Sequence, residues 1–306
     1  MAQQSPPVLI DISVTPTKYS RIRPPFGYWG GKTEHVDFIL PLLPADDAVY
    51  VEPFGGSAAV MLARQPAPME IYNDINGEVV LFYRVLREQP EELIAAINLT
   101  PTSREEFYIA CYDTREISDV ERARRFWIKA AQSRNGIVWK ASLSAWSRMS
   151  SNRRACIRRG RAKNVARTEV FKNALWPVVD RFLKVQIDNS PALEVVEHYD
   201  SPDTLFYCDP PYLHETRTDK AGYTSCELSL ADHDALAQAL TQCKGRVAVS
   251  LYDSDVLQEL YPPDIWRRYY DKPKALTAAN GAKPTRRVAE LLLTNYDADA
   301  RQIDLF

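Results

Sequence analysis

Residues 48–87 read AVYVEPFGGSAAVMLARQPAPMEIYNDINGEVVLFYRVLR, and the fold turns on this stretch. Ala48 to Glu52 is a short apolar run of strand length that ends on an acid. Pro53-Phe54-Gly55-Gly56-Ser57 reads as a tight turn, because Pro and Gly supply the backbone angles that a turn needs. Ala58 to Arg64 suits a helix, and Met69 to Tyr72 a second strand ending at Asn73-Asp74. From Asn76 to Arg87 the apolar residues Val79, Val80, Phe82, Tyr83 and Leu86 recur at helical spacing. Strand, turn, helix, strand, acid, helix is the signature of a parallel sheet in an α/β protein.

Outward from this unit the rhythm lapses and then returns. Between about Pro90 and Arg181 the pattern is helices and basic loops, without strand alternation of any length. Ser103 with Glu106 predicts a capping box for a helix through Cys111. Asp119 is the expected cap of a helix running to about Ser133. Beyond Lys184, strands are predicted at Lys184–Ile187, Thr204–Cys208, Arg246–Ser250, Ile265–Asp271 and Arg287–Leu293, with a helix at Leu230–Thr241. The expectation is a discontinuous α/β domain, 1–90 and 184–306, interrupted by a mainly helical domain at 91–183. Ligands of open parallel sheets bind at the carboxyl ends of strands. Glu52, Asp74, Asp188 and Asp209 each follow a strand directly, so four acids are expected around one cleft.

The 306 residues are 45% hydrophobic and 25% charged, the composition of an ordinary globular protein. No apolar run approaches the roughly 20 residues of a membrane span. Met1 to Pro7 is polar and proline-rich, with no basic start and apolar core, so no secretory signal is expected. The five cysteines are odd in number and none are at CxxC spacing, which argues against a zinc site or a disulfide framework. A reducing cytoplasm fits, and no metal is expected. Cys208 reads as the end of a buried strand and not as a nucleophile. The net charge of −2 conceals an asymmetry: from Glu121 to Lys172, fifteen Lys and Arg stand against Glu121 and Glu169 alone. Trp127, Trp139, Trp146, Phe171 and Trp176 are interleaved with these bases, so the segment is not a loose basic tail. It implies a polyanion partner, bound through phosphates with an affinity that falls with salt.

The chemistry is written in Phe206-Tyr207-Cys208-Asp209-Pro210-Pro211-Tyr212. Two consecutive prolines fix φ and remove two N–H donors. The Pro210 carbonyl and the Asp209 carboxylate become two acceptors aimed at one spot, and an exocyclic amine offers two N–H groups to match. Tyr212 can lie flat on a base and hold it by stacking. The lone pair of such an amine is delocalised into the ring. Two acceptors on its hydrogens pull the nitrogen toward a tetrahedral shape and free that lone pair to attack a methyl electrophile. Charge builds on the nitrogen as it attacks, so fixed acceptors stabilise the transition state more than the ground state. Asp209 is expected to act as an ordinary carboxylate of pKa about 4 that only accepts hydrogen bonds. Because the amine lies inside a duplex, the base must be flipped out. Adenine N6 and cytosine N4 are both exocyclic amines, so the motif by itself leaves the base, and DNA or RNA, open.

Four stretches together resemble the Dam-type, D12 class N6-adenine-specific DNA methyltransferases. Tyr28-Trp29-Gly30-Gly31-Lys32 is similar to that family's aromatic-x-G-G-K motif, and Val51 to Ser57 to its cofactor loop. Asn73-Asp74-Ile75-Asn76 is similar to its ribose motif, and Tyr207 to Tyr212 to its D-P-P-Y centre. A weaker match runs from Asn280-Gly281 through Arg286-Arg287 to Glu290-Leu291-Leu292. The resemblance covers the α/β parts well and the basic insert poorly.

It implies a Rossmann-like class I S-adenosylmethionine-dependent methyltransferase sheet with an inserted, mainly helical DNA-recognition domain. The implied activity is site-specific methylation of adenine N6 in double-stranded DNA by a monomer or homodimer, with no membrane involved. Asp209, Pro210, Pro211 and Tyr212 would be catalytic, and Asp at 209 where Ser would suit cytosine favours adenine. For S-adenosylmethionine, Asp74 would hold the ribose hydroxyls; it lies 19 residues after Gly55, near the spacing of about 20 for such an acid. Phe54 and Gly55 would let the backbone approach, beside Glu52. Asp188 would accept from the cofactor's adenine amino group. Lys32 with Tyr28 would meet the methionine carboxylate end, and Asp209 its ammonium. Two rival readings are weaker. A phosphate loop would need glycine where Phe26 stands, after a strand. A catalytically dead DNA-binding module, or a nuclease's specificity partner, would have no use for intact Lys32, Asp74 and Asp209.

The DNA contacts are expected at Arg134, Asn135, Arg153, Arg154, Arg158, Arg159, Arg161 and Lys163 in the insert, and at Arg286 near the C-terminus. Arg and Asn are the side chains that read guanine and adenine, although most bases only position phosphates. Replacing Arg158, Arg159 and Arg161 together by alanine is expected to weaken duplex binding and to reduce the slope of log K against log salt by ~0.9 for each phosphate no longer neutralised. Fluorescence anisotropy titrations over a salt series measure this; an unchanged slope removes the cluster from the interface.

Overall fold

The computed structural model describes residues 21–133, 136, 142, 145–147, 164–213, 226–271 and 289–298, with the backbone also at 8–9, 157–158, 161–163, 274–275 and 287–288. After β1 (Val8–Leu9) and α1 (Val36–Ile39), the opening stretch folds as its pattern predicts: β2 (Val49–Glu52), α2 (Ala59–Ala63), β3 (Met69–Asn73) and α3 (Gly77–Glu88). A helical run follows in α4 (Pro90–Leu99), α5 (Arg104–Tyr112), α6 (Asp119–Gln132) and α7 (Lys163–Phe182). Two-residue strands, β4 (Ile157–Arg158) and β5 (Arg161–Ala162), pair just before α7. Alternation resumes with β6 (Val185–Asp188), α8 (Ala192–Tyr199), β7 (Thr204–Cys208), α9 (Leu230–Gln242), β8 (Arg246–Tyr252), α10 (Asp255–Leu260) and β9 (Arg267–Tyr270). The described chain closes with β10 (Lys274–Ala275), β11 (Arg287–Val288) and β12 (Glu290–Thr294).

Two local expectations change. Ser118, not Asp119, caps α6: its Oγ accepts from the Glu121 amide at 3.3 Å, and Asp119 falls in the first turn, where its charge suits the helix dipole. Arg287–Leu293 is not one strand. Arg287–Val288 pairs with β10, whereas β12 enters the main sheet. Ser103 caps α5, accepting from the Glu105 and Glu106 amides, but the expected box keeps only this half, because the Glu106 carboxylate goes to Arg124.

The main sheet runs β1-β9-β12-β8-β7-β2-β3-β6. It is parallel except for β12, which is antiparallel to both neighbours. From β2 the chain moves outward through β3 and β6. It then returns to β7 on the other side of β2 and moves outward again through β8. The order therefore reverses between β2 and β7, and a crevice opens beyond their carboxyl ends. The β2–β7 register, Val49 against Thr204 and Val51 against Phe206, joins the two halves of the α/β domain.

Alternate strand residues go to opposite faces. Tyr50, Tyr72, Leu205, Tyr207, Ala248 and Leu292 pack with α3 to α7. Val51, Ile71, Phe206, Cys208, Val249 and Leu291 pack with α8, α9 and α10. Among the described residues, the helical run thus shares the sheet's core: the Tyr83 ring of α3 stacks on Phe182 of α7 at 4.2 Å.

The flanks of the basic block are engaged inside this layer. Arg122, Arg124 and Arg125 pair with Glu78, Asp119, Glu106, Glu121 and Asp113. Arg167 donates to the Ala131 and Ser133 carbonyls, and Lys172 to those of Asn98 and Thr100. The bases expected to meet DNA come from the middle of the block. Of these, Arg134, Asn135, Arg153, Arg154 and Arg159 lie outside the described residues, as does Arg286. Of Arg158, Arg161 and Lys163, only the backbone is described.

Arg181 ties the end of the helical run to the sheet. Its guanidinium, 3% exposed, lies 2.7 Å from Glu70 on β3 and donates to the Met61 carbonyl at 2.9 Å. Removing one member of a buried pair strands the other charge, at a cost of ~3–5 kcal/mol. Glu70→Ala is expected to lower the urea midpoint by that measure; a change below about 1 kcal/mol, the level of a surface pair, contradicts it.

Candidate active site

The floor of the crevice is built by the β2 turn. Glu52 ends β2 and the chain reverses at once. Gly55 is required here, since a Cβ would lie 2.2 Å from the Tyr72 ring. The Tyr72 hydroxyl donates to the Gly56 carbonyl at 2.7 Å. Asp74, just past β3, accepts from the Gly56 and Asn76 amides, both at 2.8 Å. Burial raises its pKa to about 6, against the pull of those two amides. Each oxygen keeps a further lone pair for a ligand.

Glu52 is 2% exposed and accepts from the Tyr50 hydroxyl at 2.8 Å. Burial pushes its pKa to about 8. It is therefore mostly protonated at neutral pH and can donate as well as accept.

The N-terminal motif closes over this floor. Gly30 adopts φ 75°, and Lys32 enters a short 3-10 turn, Lys32–Glu34. The Lys32 ammonium donates to the Gly30 carbonyl at 2.9 Å and to Asp209 Oδ1 at 2.6 Å. It also lies 3.6 Å from Glu290 Oε1 and 4.8 Å from the Tyr212 ring centre. Burial works against its charge, but Asp209 and Glu290 more than offset this and hold its pKa above the usual value. Asp209 is not the ordinary carboxylate that the sequence suggests: burial raises its pKa, with Lys32 opposing.

A cavity of about 270 Å³ occupies the crevice. Tyr28, Lys32, Glu52, Phe54, Gly55, Asp74 and Asp209 all line it, together with Pro211. Asp188 is outside this lining: its Oδ1 accepts from the Asn189 amide and Ser190 Oγ, and Pro191, Ala192 and Leu193 line the wall after it. Pro210 is buried beside the cavity. Tyr212 stands behind it, its ring edge-on to Tyr252 at 4.5 Å and its hydroxyl donating to Glu290. Cys208 is a buried strand end, as expected, and burial pushes its thiol well up.

Glu290 falls in the weaker C-terminal match, but sequence reasoning gave it no role in the site. It is 2% exposed at the head of β12, opposite Tyr252, and burial raises its pKa to about 6. The available signal was an acid opening the apolar run Leu291-Leu292-Leu293. Among the described residues no helix is long and apolar enough to cross a membrane.

A parallel sheet whose strand order reverses at an acid-lined crevice, with Asp-Pro-Pro-Tyr at its edge, is a Rossmann-like arrangement. The profile of the D12 class N6 adenine-specific DNA methyltransferases matches residues 28–271, and the chain belongs to that family. It is thus an N6 adenine-specific DNA methyltransferase. The chain is 27% identical to type II methyltransferase M1.LlaDCHI of Lactococcus lactis subsp. cremoris, over 89% of this chain and 95% of that one. It is 25% identical to type II methyltransferase M.MjaIII of Methanocaldococcus jannaschii, over 89% and 99%. It is 21% identical to type II methyltransferase M.CviBI of Paramecium bursaria Chlorella virus NC1A, over 90% and 100%.

Glu52 makes stability depend on pH. Unfolded, it ionises near its ordinary value of 4.5; folded, it keeps its proton to about pH 8. Folding therefore takes up a proton between those limits, and stability falls as pH rises through them. Asp74 and Glu290 act in the same sense up to about pH 6. Urea midpoints are expected to drop from pH 5.5 to pH 8.5, and Glu52→Gln to flatten the upper part of that drop. An equal drop in both proteins means that Glu52 is ionised in the folded chain.

Proposed function

We propose that this chain transfers the methyl group of S-adenosylmethionine to N6 of an adenine flipped out of duplex DNA. The observation that carries this reading is Asp209 at the cavity wall, held by buried Lys32 at 2.6 Å, with Pro211 lining the same cavity. The cavity suits the methyl donor in chemistry. Its acids Asp74 and Asp209, with the protonated Glu52 as a further hydrogen-bonding group, match a ligand bearing a sulfonium, an ammonium and ribose hydroxyls. Its apolar members, Phe54, Ile75 and Leu193, match a purine. Asp74 is pre-oriented by two amides and would take the ribose hydroxyls. Tyr28 and Phe54 would border the ligand. Lys32 acts here foremost as the counter-ion of Asp209. When bound, S-adenosylmethionine supplies an electrophilic methyl group on sulfur.

The chain's own residues do the rest. Asp209 and the Pro210 carbonyl accept the two N6 hydrogens and free the nitrogen lone pair. Lys32 opposes the burial of Asp209 and favours its ionised, accepting form. Tyr212 stacks on the flipped base, and Asp209 receives the proton that N6 sheds after transfer. Such preorganised groups act without reorganisation at the moment of reaction. Segment 91–183 is proposed as the target-recognition domain, with its central bases on phosphates and base edges. The three relatives are type II methyltransferases, which supports placing this chain in a restriction–modification setting.

Incubation with labelled S-adenosylmethionine and unmethylated genomic DNA, followed by modified-base sequencing, tests the reading. N6-methyladenine at one short site is expected; label in RNA only, or N4-methylcytosine, sinks it. Asp209→Asn is expected to cut kcat by ~10²–10³-fold, the scale of losing one fixed group at a transition state. Its duplex Kd should stay within threefold of wild type, and near-native kcat contradicts the assigned role.

A further inference from the structure

Resting on the reading of Asp209 to Tyr212 as the transfer centre, one buried acid still has no part. Glu290 is fixed from several elements at once. Its Oε1 receives the Tyr212 hydroxyl and lies 3.6 Å from the Lys32 ammonium. Its Oε2 lies 3.9 Å from His35 Nε2, and His35 Nδ1 is 2.9 Å from Asp271 Oδ2. The Glu290 carbonyl accepts from the Asp271 amide at 2.9 Å, and Tyr252 stands opposite it in register. Asp209 also meets both Lys32 and Tyr212 through its side chain, so the two acids share these partners.

We propose that Glu290 is a positioning residue for methyl transfer, one that holds Tyr212 as the wall on which the target base stacks and keeps Lys32 balanced between two carboxylates. Tyr212 lies in a segment without helix or strand, so backbone hydrogen bonding does not lock its ring. The hydroxyl–Glu290 bond anchors one end of that ring, and the Tyr252 edge supports its side. A stacking wall fixed before the base arrives costs less entropy when the base binds. A carboxylate serves better than a neutral acceptor, since hydrogen bonds to ionised groups are about twice as strong.

The second half of the role concerns Asp209. Lys32 faces both Asp209 and Glu290. If Glu290 lost its charge, Lys32 would turn wholly to Asp209. That carboxylate would then be a weaker acceptor for the N6 hydrogens, whose bonds strengthen only as the nitrogen attacks. The deficit belongs in kcat and not in the binding of methyl donor or DNA.

The test uses the full chain and the DNA site mapped by sequencing. Wild type must first methylate that site; if it does not, the transfer reading itself fails, separately from this inference. Glu290→Gln preserves shape and removes charge. It is expected to lower kcat at least tenfold, with KM for S-adenosylmethionine within threefold. Tyr212→Phe removes the hydroxyl that meets Glu290 and Asp209, and is expected to lower kcat at least as much with an unchanged thermal midpoint. The double variant should be no slower than about threefold below the slower single variant, because Tyr212→Phe removes the hydrogen bond that Glu290→Gln weakens. With 2-aminopurine in place of the target adenine, both single variants should shift the emission of the flipped base from the wild-type value in the same direction. A folded Glu290→Gln with kcat within twofold of wild type overturns the proposal, as do multiplicative losses in the double variant. Should Glu290→Gln not fold, Tyr212→Phe decides alone, and wild-type kcat there overturns it.

Discussion

A carboxylate buried at the end of a strand needs a partner charge, and at Asp209 that partner is Lys32. The two are 177 positions apart in the chain and 2.6 Å apart in the fold. Taking both out of water is costly, and leaving either alone costs more. The N-terminal motif and the Asp-Pro-Pro-Tyr segment are therefore bound to each other thermodynamically. The Gly30 carbonyl, Glu290 and the Tyr212 ring complete the surroundings of the ammonium. Displacing Lys32 would disturb the catalytic acid, the stacking tyrosine and one wall of the cavity together.

That pair can form only because the sheet reverses between β2 and β7. The reversal puts Glu52, Asp74 and Asp209 on one crevice, and burial then separates their behaviour. Glu52, with one hydroxyl and a backbone amide against full burial, is pushed to about 8; Asp74, held by two amides, only to about 6. Acids of one composition become a mostly neutral donor, a bound anchor and a lysine-paired acceptor. A cationic ligand entering the crevice favours the ionised forms, so binding the methyl donor and releasing protons are linked.

The helical run is coupled to the same crevice. Trp127 of α6 donates to the Pro25 carbonyl at 2.8 Å, and Phe26 packs edge-on against Phe82 and Phe126. These contacts sit just ahead of the Gly30-Gly31-Lys32 turn. Gly136, at φ 68°, approaches the Gly27 backbone so closely that a Cβ would lie 2.4 Å from its carbonyl oxygen. The segment that carries the basic block thus shares a core with the layer that positions Lys32.

Much of this was legible in the chain. Short apolar runs that end in acids announce parallel strands, and 48–87 carries two of them, enough to specify the opening βαβα unit. The Asp-Pro-Pro-Tyr chemistry follows from local geometry, since two prolines and an acid need no distant partner to be recognised. What depends on distant partners was not legible. Charge counted from Glu121 to Lys172 looked like one polyanion-binding surface, but at its flanks Arg122, Arg124, Arg125 and Arg167 meet acids and carbonyls that only packing brings near. Asp188 ends a strand as expected, and its Oδ1 also orders its own loop by accepting from the Asn189 amide and Ser190 Oγ. Glu290 was seen in the C-terminal match but given no place in the site, for a topological reason. An acid reaches the crevice from the carboxyl end of a parallel strand or from the amino end of an antiparallel one. The sequence by itself determined which residues could do the chemistry; strand direction and burial, which are properties of the assembled sheet, decided which of them stand together and in what state of charge.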